Sequence, residues 1–239
     1  MTQLQATFCA LLFLACACAQ FAAVELFVDC ERGKMNSTCS FADPCKTLEL
    51  AIARVPPLQQ TTIRIAAGSV CAAERTISLQ NARLDVVGDS QLPPQLSFAG
   101  ADGFMLTACS LALRNVILSD ATVALRAQNC SLSATGVAFR ANLEAVRIAG
   151  HSPSVSFDDC EFSANLQSAL IVEPLLGDLP LARIAIANSL FVDNRGGPLV
   201  NVQFSDWHGP ADITVTNTRF AQNRLTDYFG VYLDRKSVV

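Results

Sequence analysis

The amino-acid sequence predicts an all-β fold, a right-handed parallel β-helix solenoid of about six coils with a short N-terminal capping helix. Three features of the sequence carry that expectation. A Phe-x-x-Asn tetrapeptide recurs in a fixed register, apolar residues alternate with period two ahead of each copy, and residues that tolerate left-handed backbone fill one column between them. The copies are Phe139-Arg-Ala-Asn142, Phe162-Ser-Ala-Asn165, Phe191-Val-Asp-Asn194 and Phe220-Ala-Gln-Asn223, with the phenylalanines 23, 29 and 29 residues apart.

With each Phe as position zero, position −7 is Leu132, Val155, Ile184 and Ile213, and position −5 is Ala134, Phe157, Ile186 and Val215. A strand with one buried face needs this alternation. Two earlier units fit with Leu at zero: Leu111, Leu113 and Asn115 leading to Leu118, and Ile77, Leu79 and Asn81 leading to Leu84. Position −3 is then Asn81, Asn115, Gly136, Asp159, Asn188 and Asn217, which suits a sharp one-residue bend between two short strands. Position +9, occupied by Ile148, Ile171, Val200 and Phe229, supplies a third strand. Stacked coils place like positions about 4.8 Å apart, where an asparagine column can form a hydrogen-bonded ladder.

Other repeat architectures fit less well. Helical solenoids need 3.6-periodic apolar stripes, and leucine-rich repeats need LxxLxL spacing. A sandwich of hairpins does not predict one register held over six units, and its Asn-Gly or Asp-Gly turns are missing from the repeats. From +9 to the next −7 position the separation is 7 residues and then 13 twice, so length variation is expected at one corner only. Variable loops on one face are where solenoids usually bind.

The elements follow in chain order. Residues 1–19 read as a secretory signal peptide, with a short apolar stretch and Ala17-Cys18-Ala19 as the small-x-small cleavage signal. The departure is an n-region with no Lys or Arg. Residues 20–62 form an N-terminal cap region, because an open β-helix end exposes unpaired backbone and core. Within it a helix is expected over 44–55, with Asp43 as N-cap and Pro44 at the first helical position. Its apolar face is Leu48, Ala51, Ile52 and Val55, and Pro56-Pro57 ends it. The β-helix runs over 63–233, with Ile63-Arg-Ile65 as its first strand. Residues 234–239, Asp-Arg-Lys-Ser-Val-Val, match one translation of a sequencing-library adapter and read as an artefactual tail on a fragment of a longer protein.

Beyond the signal peptide lie Cys30, Cys39, Cys45, Cys71, Cys109, Cys130 and Cys160, an odd number, so at least one is free or bonded to another chain. Cys39 and Cys45 flank the helix start and could staple that loop, which leaves Cys30 and Cys71 as partners by elimination. Cys109 and Cys130 each lie nine residues before a zero position, so they stack as a disulfide or as two reduced thiols. No CxxC beyond the signal supports zinc, and no cofactor is expected. Asn36-Ser37-Thr38 and Asn129-Cys130-Ser131 are glycosylation sequons at Asn36 and Asn129, and a Cys109–Cys130 bridge would disfavour the second.

With 17 Lys+Arg against 21 Asp+Glu there is no basic surplus, which argues against nucleic-acid binding. Outside the signal peptide no segment is long and apolar enough to span a membrane.

The Phe-x-x-Asn copies, with Gly196-Gly197-Pro198-Leu199 after Asn194, resemble the polymorphic outer membrane protein repeats of chlamydial surface proteins. The GGA element of those repeats occurs once here, with Pro in place of Ala. The run Val28-Asp29-Cys30, Cys39, Pro44-Cys45-Lys46-Thr47-Leu48, Ala51-Ile52 and then Ile-x-Ile-x-x-Gly is similar to the opening of secreted right-handed β-helix proteins of the pectin-lyase-like superfamily. Together these resemblances cover about residues 26–233 and imply a secreted or surface-exposed β-helix, often an adhesin or passenger domain.

Lyases and hydrolases on this fold need clustered carboxylates, as calcium ligands or as an acid/base pair. The one adjacent pair is Asp158-Asp159, with Asp159 in the bend column and Ala187 stacked next to Asp158. The variable corner is the better candidate site, with His151, Glu173, Asp178, Asp206, Trp207, His208 and Asp212. Trp207 could offer an aromatic platform to a sugar or peptide, or fold over the edge of the solenoid. His151 and His208 fall two coils apart, about 10 Å, too far for one metal. The expectation is a non-enzymatic adhesion or glycan/protein-recognition surface, with an extracellular glycan or protein as partner. The rival is a polysaccharide lyase or hydrolase of the pectin-lyase-like superfamily.

Overall fold

The structure, a computed structural model, describes residues 23–57, 59–151, 153–174, 182–203, 211–225 and 231–234. The signal-peptide segment 1–19 and the tail beyond Asp234 lie outside the described residues. The chain winds into three parallel sheets. The first contains Val24–Val28, Gln60–Ile65, Arg83–Val87, Ser110–Arg114, Ser131–Thr135, Ser154–Asp158, Ala182–Ala187 and Ala211–Thr216, in that order. The second contains Val70–Ala72, Gln95–Ser97, Ile117–Ser119, Ala138–Arg140, Glu161–Ser163, Leu190–Val192 and Arg219–Ala221. The third contains Ile77–Gln80, Phe104–Thr107, Val123–Gln128, Glu144–Gly150, Leu170–Pro174, Val200–Gln203 and Val231–Asp234. The chain visits the sheets in rotation and completes six turns between Gln60–Ile65 and Ala211–Thr216. It is the all-β parallel solenoid that the repeats predict.

The one-residue bends are where the sequence places them. Asn115, Asp159, Asn188 and Asn217 have φ between 47 and 53°, and Gly136 has φ 62°. Asn81, at φ 52°, is the exception: it bends the chain from the third sheet to the first, in line with Ala108 and Asn129, and Gly88 stands beside Asn115 in the expected column. A second bend column, two residues after each zero position, holds Ala141, Ala164, Asp193 and Gln222 at φ 54–55°. Alanine there gives no sequence signal. The backbone is held by the asparagine that follows it.

Those asparagines form the ladder. Asn142, Asn165 and Asn194 are fully buried. Asn165 Oδ1 accepts from the backbone N–H of Asn142 at 3.1 Å and from its Nδ2 at 3.2 Å. Asn165 Nδ2 donates to the Phe139 carbonyl at 3.1 Å and to Asn194 Oδ1 at 2.8 Å. Asn194 and Asn223 repeat the pattern one coil on, and Asn142 Oδ1 takes the Ala121 N–H at the other end. The side chains thus satisfy backbone groups that a tight corner leaves without ladder partners. Beside them Phe139, Phe162, Phe191 and Phe220 stack with centroids 4.5–5.0 Å apart and rings within 20° of parallel.

Several expectations need correction. Leu84 pairs with Leu111, so it belongs to position −7 in the first sheet rather than to position zero. The zero column runs Cys71, Leu96, Leu118, Phe139, Phe162, Phe191, Phe220. Ile77 and Leu79 sit in the third sheet, opposite Phe104 and Leu106. The error arose because two adjacent sheets share the same period-two pattern, and one bend residue looks like another. In the third sheet Ile148 pairs with Val172, and Ile171 pairs with Arg147, so the +9 column slips by one residue at Ile171. Val200 pairs with Leu170, not with Ile171, and Phe229 lies outside the described residues. Length variation is therefore not confined to one corner. The segment 88–94 is an insertion between the first and second sheets.

At the N-terminal end the first strand is Val24–Val28, which pairs in parallel with Gln60–Ile65 ahead of the expected first strand. The helix covers Leu48–Ile52, not 44–55. Its N-cap is Thr47, whose Oγ1 accepts from Leu50 N at 3.3 Å. Asp43 instead accepts from Thr38 N at 3.0 Å and pairs with Lys34 at 3.3 Å, and Pro44 precedes the helix. Leu48 and Ala51 are buried against the first coil as the amphipathic pattern requires. A Cys30–Cys71 disulfide ties this cap to the solenoid, and a Cys39–Cys45 disulfide closes a loop within the cap. Cys109, Cys130 and Cys160 are free and buried, so the alternative of a Cys109–Cys130 bridge is not realised. The Cys109 N–H donates to Cys130 Sγ at 3.2 Å, the contact of two stacked thiols.

Candidate functional site

The insertion at 88–94 builds the wall of a groove. At Gly88 the chain must leave the first sheet against the next coil: a Cβ there would lie 2.1 Å from the Asn115 carbonyl oxygen. Asp89 Oδ1 then accepts from Gln91 N at 2.8 Å and Leu92 N at 3.0 Å, which fixes a turn. Those two backbone donors hold the Asp89 carboxyl below its ordinary value. Pro93-Pro94 carries the chain back to Gln95, the start of the second-sheet strand.

Between this loop and the following coils lies a groove of ≈ 270 Å³ at the first-to-second-sheet corner, lined among others by Ser90, Pro93, Asn115, Gly136, Asp159 and Glu161. Asn115, Gly136 and Asp159 are successive members of the bend column, so the groove floor runs along the solenoid axis. Gly136 is the gap in that column. A Cβ on it would approach Asn115 Oδ1 to 2.5 Å, and its φ is already in the left-handed region. Ile117 and Ala138 give the groove an apolar side.

Arg140 closes the far side. Its Nε and Nη2 reach Glu161 Oε1 and Oε2 at 3.0 and 2.9 Å, a bidentate pair between neighbouring coils. Ser163 Oγ adds a 2.7 Å bond to Glu161 Oε1. Partial burial pushes the Glu161 carboxyl up, but the Arg140 and Ser163 hydrogen bonds and the Arg140 charge outweigh it, so the group sits below its ordinary value. Glu161 is therefore a committed carboxylate. Asp159 is exposed and its carboxylate makes no hydrogen bond or ion pair among the described residues. Asp158, next to it, accepts from Asn188 Nδ2 at 2.8 Å.

The expected rim at the other corner is only partly described. Asp178, Asp206, Trp207 and His208 lie outside the described residues. His151 is exposed, and its backbone N–H donates to Asn129 Oδ1 at 2.9 Å. Asp212 is exposed in the first sheet opposite Arg183 and accepts from Thr214 Oγ1 at 3.5 Å. Asp212 stands two rungs from Ser154, so the structure does not bring it together with His151. Glu173 is engaged with Arg147 at 3.2 Å, and Glu144 holds the same guanidinium at 2.8 and 2.9 Å. Among the described residues no group of three or more His, Cys, Asp or Glu could hold a metal ion. Asn36 is exposed, and Asn129 is exposed with its Oδ1 already accepting.

The sequence reading missed Ser90, Pro93, Arg140 and Glu161 as a group. The signal was available in the interval from Leu84 to Leu96, which is longer than that from Leu111 to Leu118, but it appears only once Leu84 is placed in the first sheet.

No protein-family model matches the chain, and no curated protein matches it. Among solved structures, a rhamnogalacturonan lyase superposes with a TM-score of 0.35 and 8% identity, over 84% of this chain and 67% of that one. A likeness at that level says nothing of activity.

Proposed function

We propose that the protein is an extracellular or cell-surface β-helix whose side face recognises a glycan or protein without turning it over. The observation that carries this reading is the state of the groove's charged groups. Acid-base cleavage of a glycosidic bond needs one carboxyl kept protonated near neutral pH opposite a second carboxylate. Glu161 is held in the opposite direction, clamped by Arg140 and Ser163. A clamped pair next to a free carboxylate, an amide and an apolar strip suits binding. The two disulfides support an oxidising compartment, and no helix among the described residues is long and apolar enough to cross a membrane. The sequons at Asn36 and Asn129 are proposed sites of glycosylation there, Asn36 being the one with no side-chain bond to give up.

The test is a glycan panel read twice, for binding by calorimetry and for ligand mass after prolonged incubation. The proposal expects at least one ligand bound reversibly with its mass unchanged. A cleaved or unsaturated product would overturn it in favour of the lyase or hydrolase reading.

A further inference from the structure

We propose that the groove beside Gly136 takes a pyranose unit bearing a free amine, and that it rejects uronates. This rests on the recognition reading and names its ligand class. Asn115 and Asp159 stand one on each side of Gly136 along the axis. Two rungs of about 4.8 Å separate them, a span of about 10 Å that one sugar ring with a hydrogen bond at each end can bridge. The missing side chain at Gly136 leaves the floor between them open, apart from the Asn115 carboxamide that leans over it. Pro93, Ile117 and Ala138 present the apolar strip on which the C–H face of a ring can lie.

The charge of the groove decides the class. Among the described residues Arg140 is its one lining cation, and it is neutralised by Glu161 through two hydrogen bonds. Asp159 remains without a partner among the described residues. The groove therefore carries one uncompensated negative charge. An ammonium group on the ligand would meet it, whereas a uronate carboxylate would be repelled and would find Arg140 already occupied.

Asp159→Asn tests this without threatening the fold, because Asn already fills the same bend at positions 115, 188 and 217. The probes are a glucosamine oligomer, its N-acetylated counterpart and an oligogalacturonate, measured by calorimetry on the intact protein at low and moderate salt. The wild-type protein should bind the glucosamine oligomer at least tenfold tighter than the acetylated one. Asp159→Asn should erase that difference. Glu31→Gln removes the same charge from an exposed site at the cap and should leave the difference intact, which excludes a general attraction to an acidic protein. Equal binding by wild type and Asp159→Asn, oligogalacturonate binding as tight as glucosamine, or no glucosamine binding would each overturn the proposal. A neutral glycan bound without cleavage would leave the recognition reading standing while this inference falls, and cleavage of any probe would remove the recognition reading itself.

Discussion

Replacing Asn165 by alanine removes the middle of the asparagine ladder. Four side-chain hydrogen bonds go with it, to Asn142 N, Asn142 Nδ2, the Phe139 carbonyl and Asn194 Oδ1. Asn142 is itself 0% exposed, so its backbone N–H loses a partner where water cannot follow. One such orphaned donor costs about 1–3 kcal/mol, and each remaining bond contributes about 0.5–1.5 kcal/mol net, so the expected loss is about 3–5 kcal/mol. Asn223 supplies the corresponding acceptor to Asn194 but is only part-buried, where water can substitute. Its replacement should cost about 1–2 kcal/mol. Both variants can be measured by denaturant unfolding followed by far-ultraviolet circular dichroism, with the m-value checked for two-state behaviour. A cost below about 1 kcal/mol at Asn165, or equal costs at the two positions, would refute the argument that burial gives the ladder its strength.

Other perturbations follow from the same structure. Ala164 sits at φ 55°, which costs a residue with a Cβ about 1–2 kcal/mol. Ala164→Gly should relieve that and lose less through unfolded-state entropy, so the melting temperature should rise, and a fall would contradict the strain argument. Burial pushes the Cys160 thiol up to about 11 and raises Cys130 as well. With Cys109, Cys130 and Cys160 all buried and free, alkylation counted on peptides from residues 20–239 should add nothing to the native protein and three groups to the unreduced, unfolded one. One group would instead show that Cys109 and Cys130 are joined. Glu161 has a folded pKa below its unfolded one, so its pair with Arg140 stabilises the protein above the ordinary carboxylate range and that contribution is lost as the pH falls through the folded pKa. Its side chain is 33% exposed and that of Arg140 47%, which limits the effect to about 1 kcal/mol or less. Glu161→Gln should therefore flatten a small acid-side loss of stability in a pH series, and an unchanged profile would contradict the assignment.

The fold was readable because a parallel solenoid repeats its constraints. The Phe-x-x-Asn units fixed both the aromatic stack and the ladder, and the bend column of Asn, Asp and Gly marked a positive φ that other residues resist. Where the constraint weakens, the reading failed. Leu at position zero looks like Leu at position −7, so the first unit, Ile77 to Leu84, slipped by one sheet until Leu96 is recognised as the missing zero residue, while the Leu111 to Leu118 unit was placed correctly. The helix was over-extended because Asp43-Pro44 reads as a helix start, while the structure spends Asp43 on Thr38 and Lys34. The groove was hidden for a related reason. The Phe139–Phe162 register already set Arg140 and Glu161 in adjacent coils, but the 88–94 loop that walls the groove beside them was masked by the misplacement of Leu84.

Register is thus the claim on which columns, ladder and groove all depend. Ser133 and Ser156 pair directly, with their Oγ atoms 3.2 Å apart on the exposed face of the first sheet. Cysteines at these two positions would have Cα atoms about 4.8 Å apart, within disulfide range. Cysteines at Ser133 and Ser154 would be offset by two residues along the strand, because Ser154 pairs with Ser131. Mild oxidation of the two double variants, read by the mass of the peptides they join, measures the register directly. The account predicts rapid bonding of Ser133→Cys with Ser156→Cys and little or none with Ser154→Cys. Equal or reversed bonding would contradict the stacking of these coils and the groove built upon it.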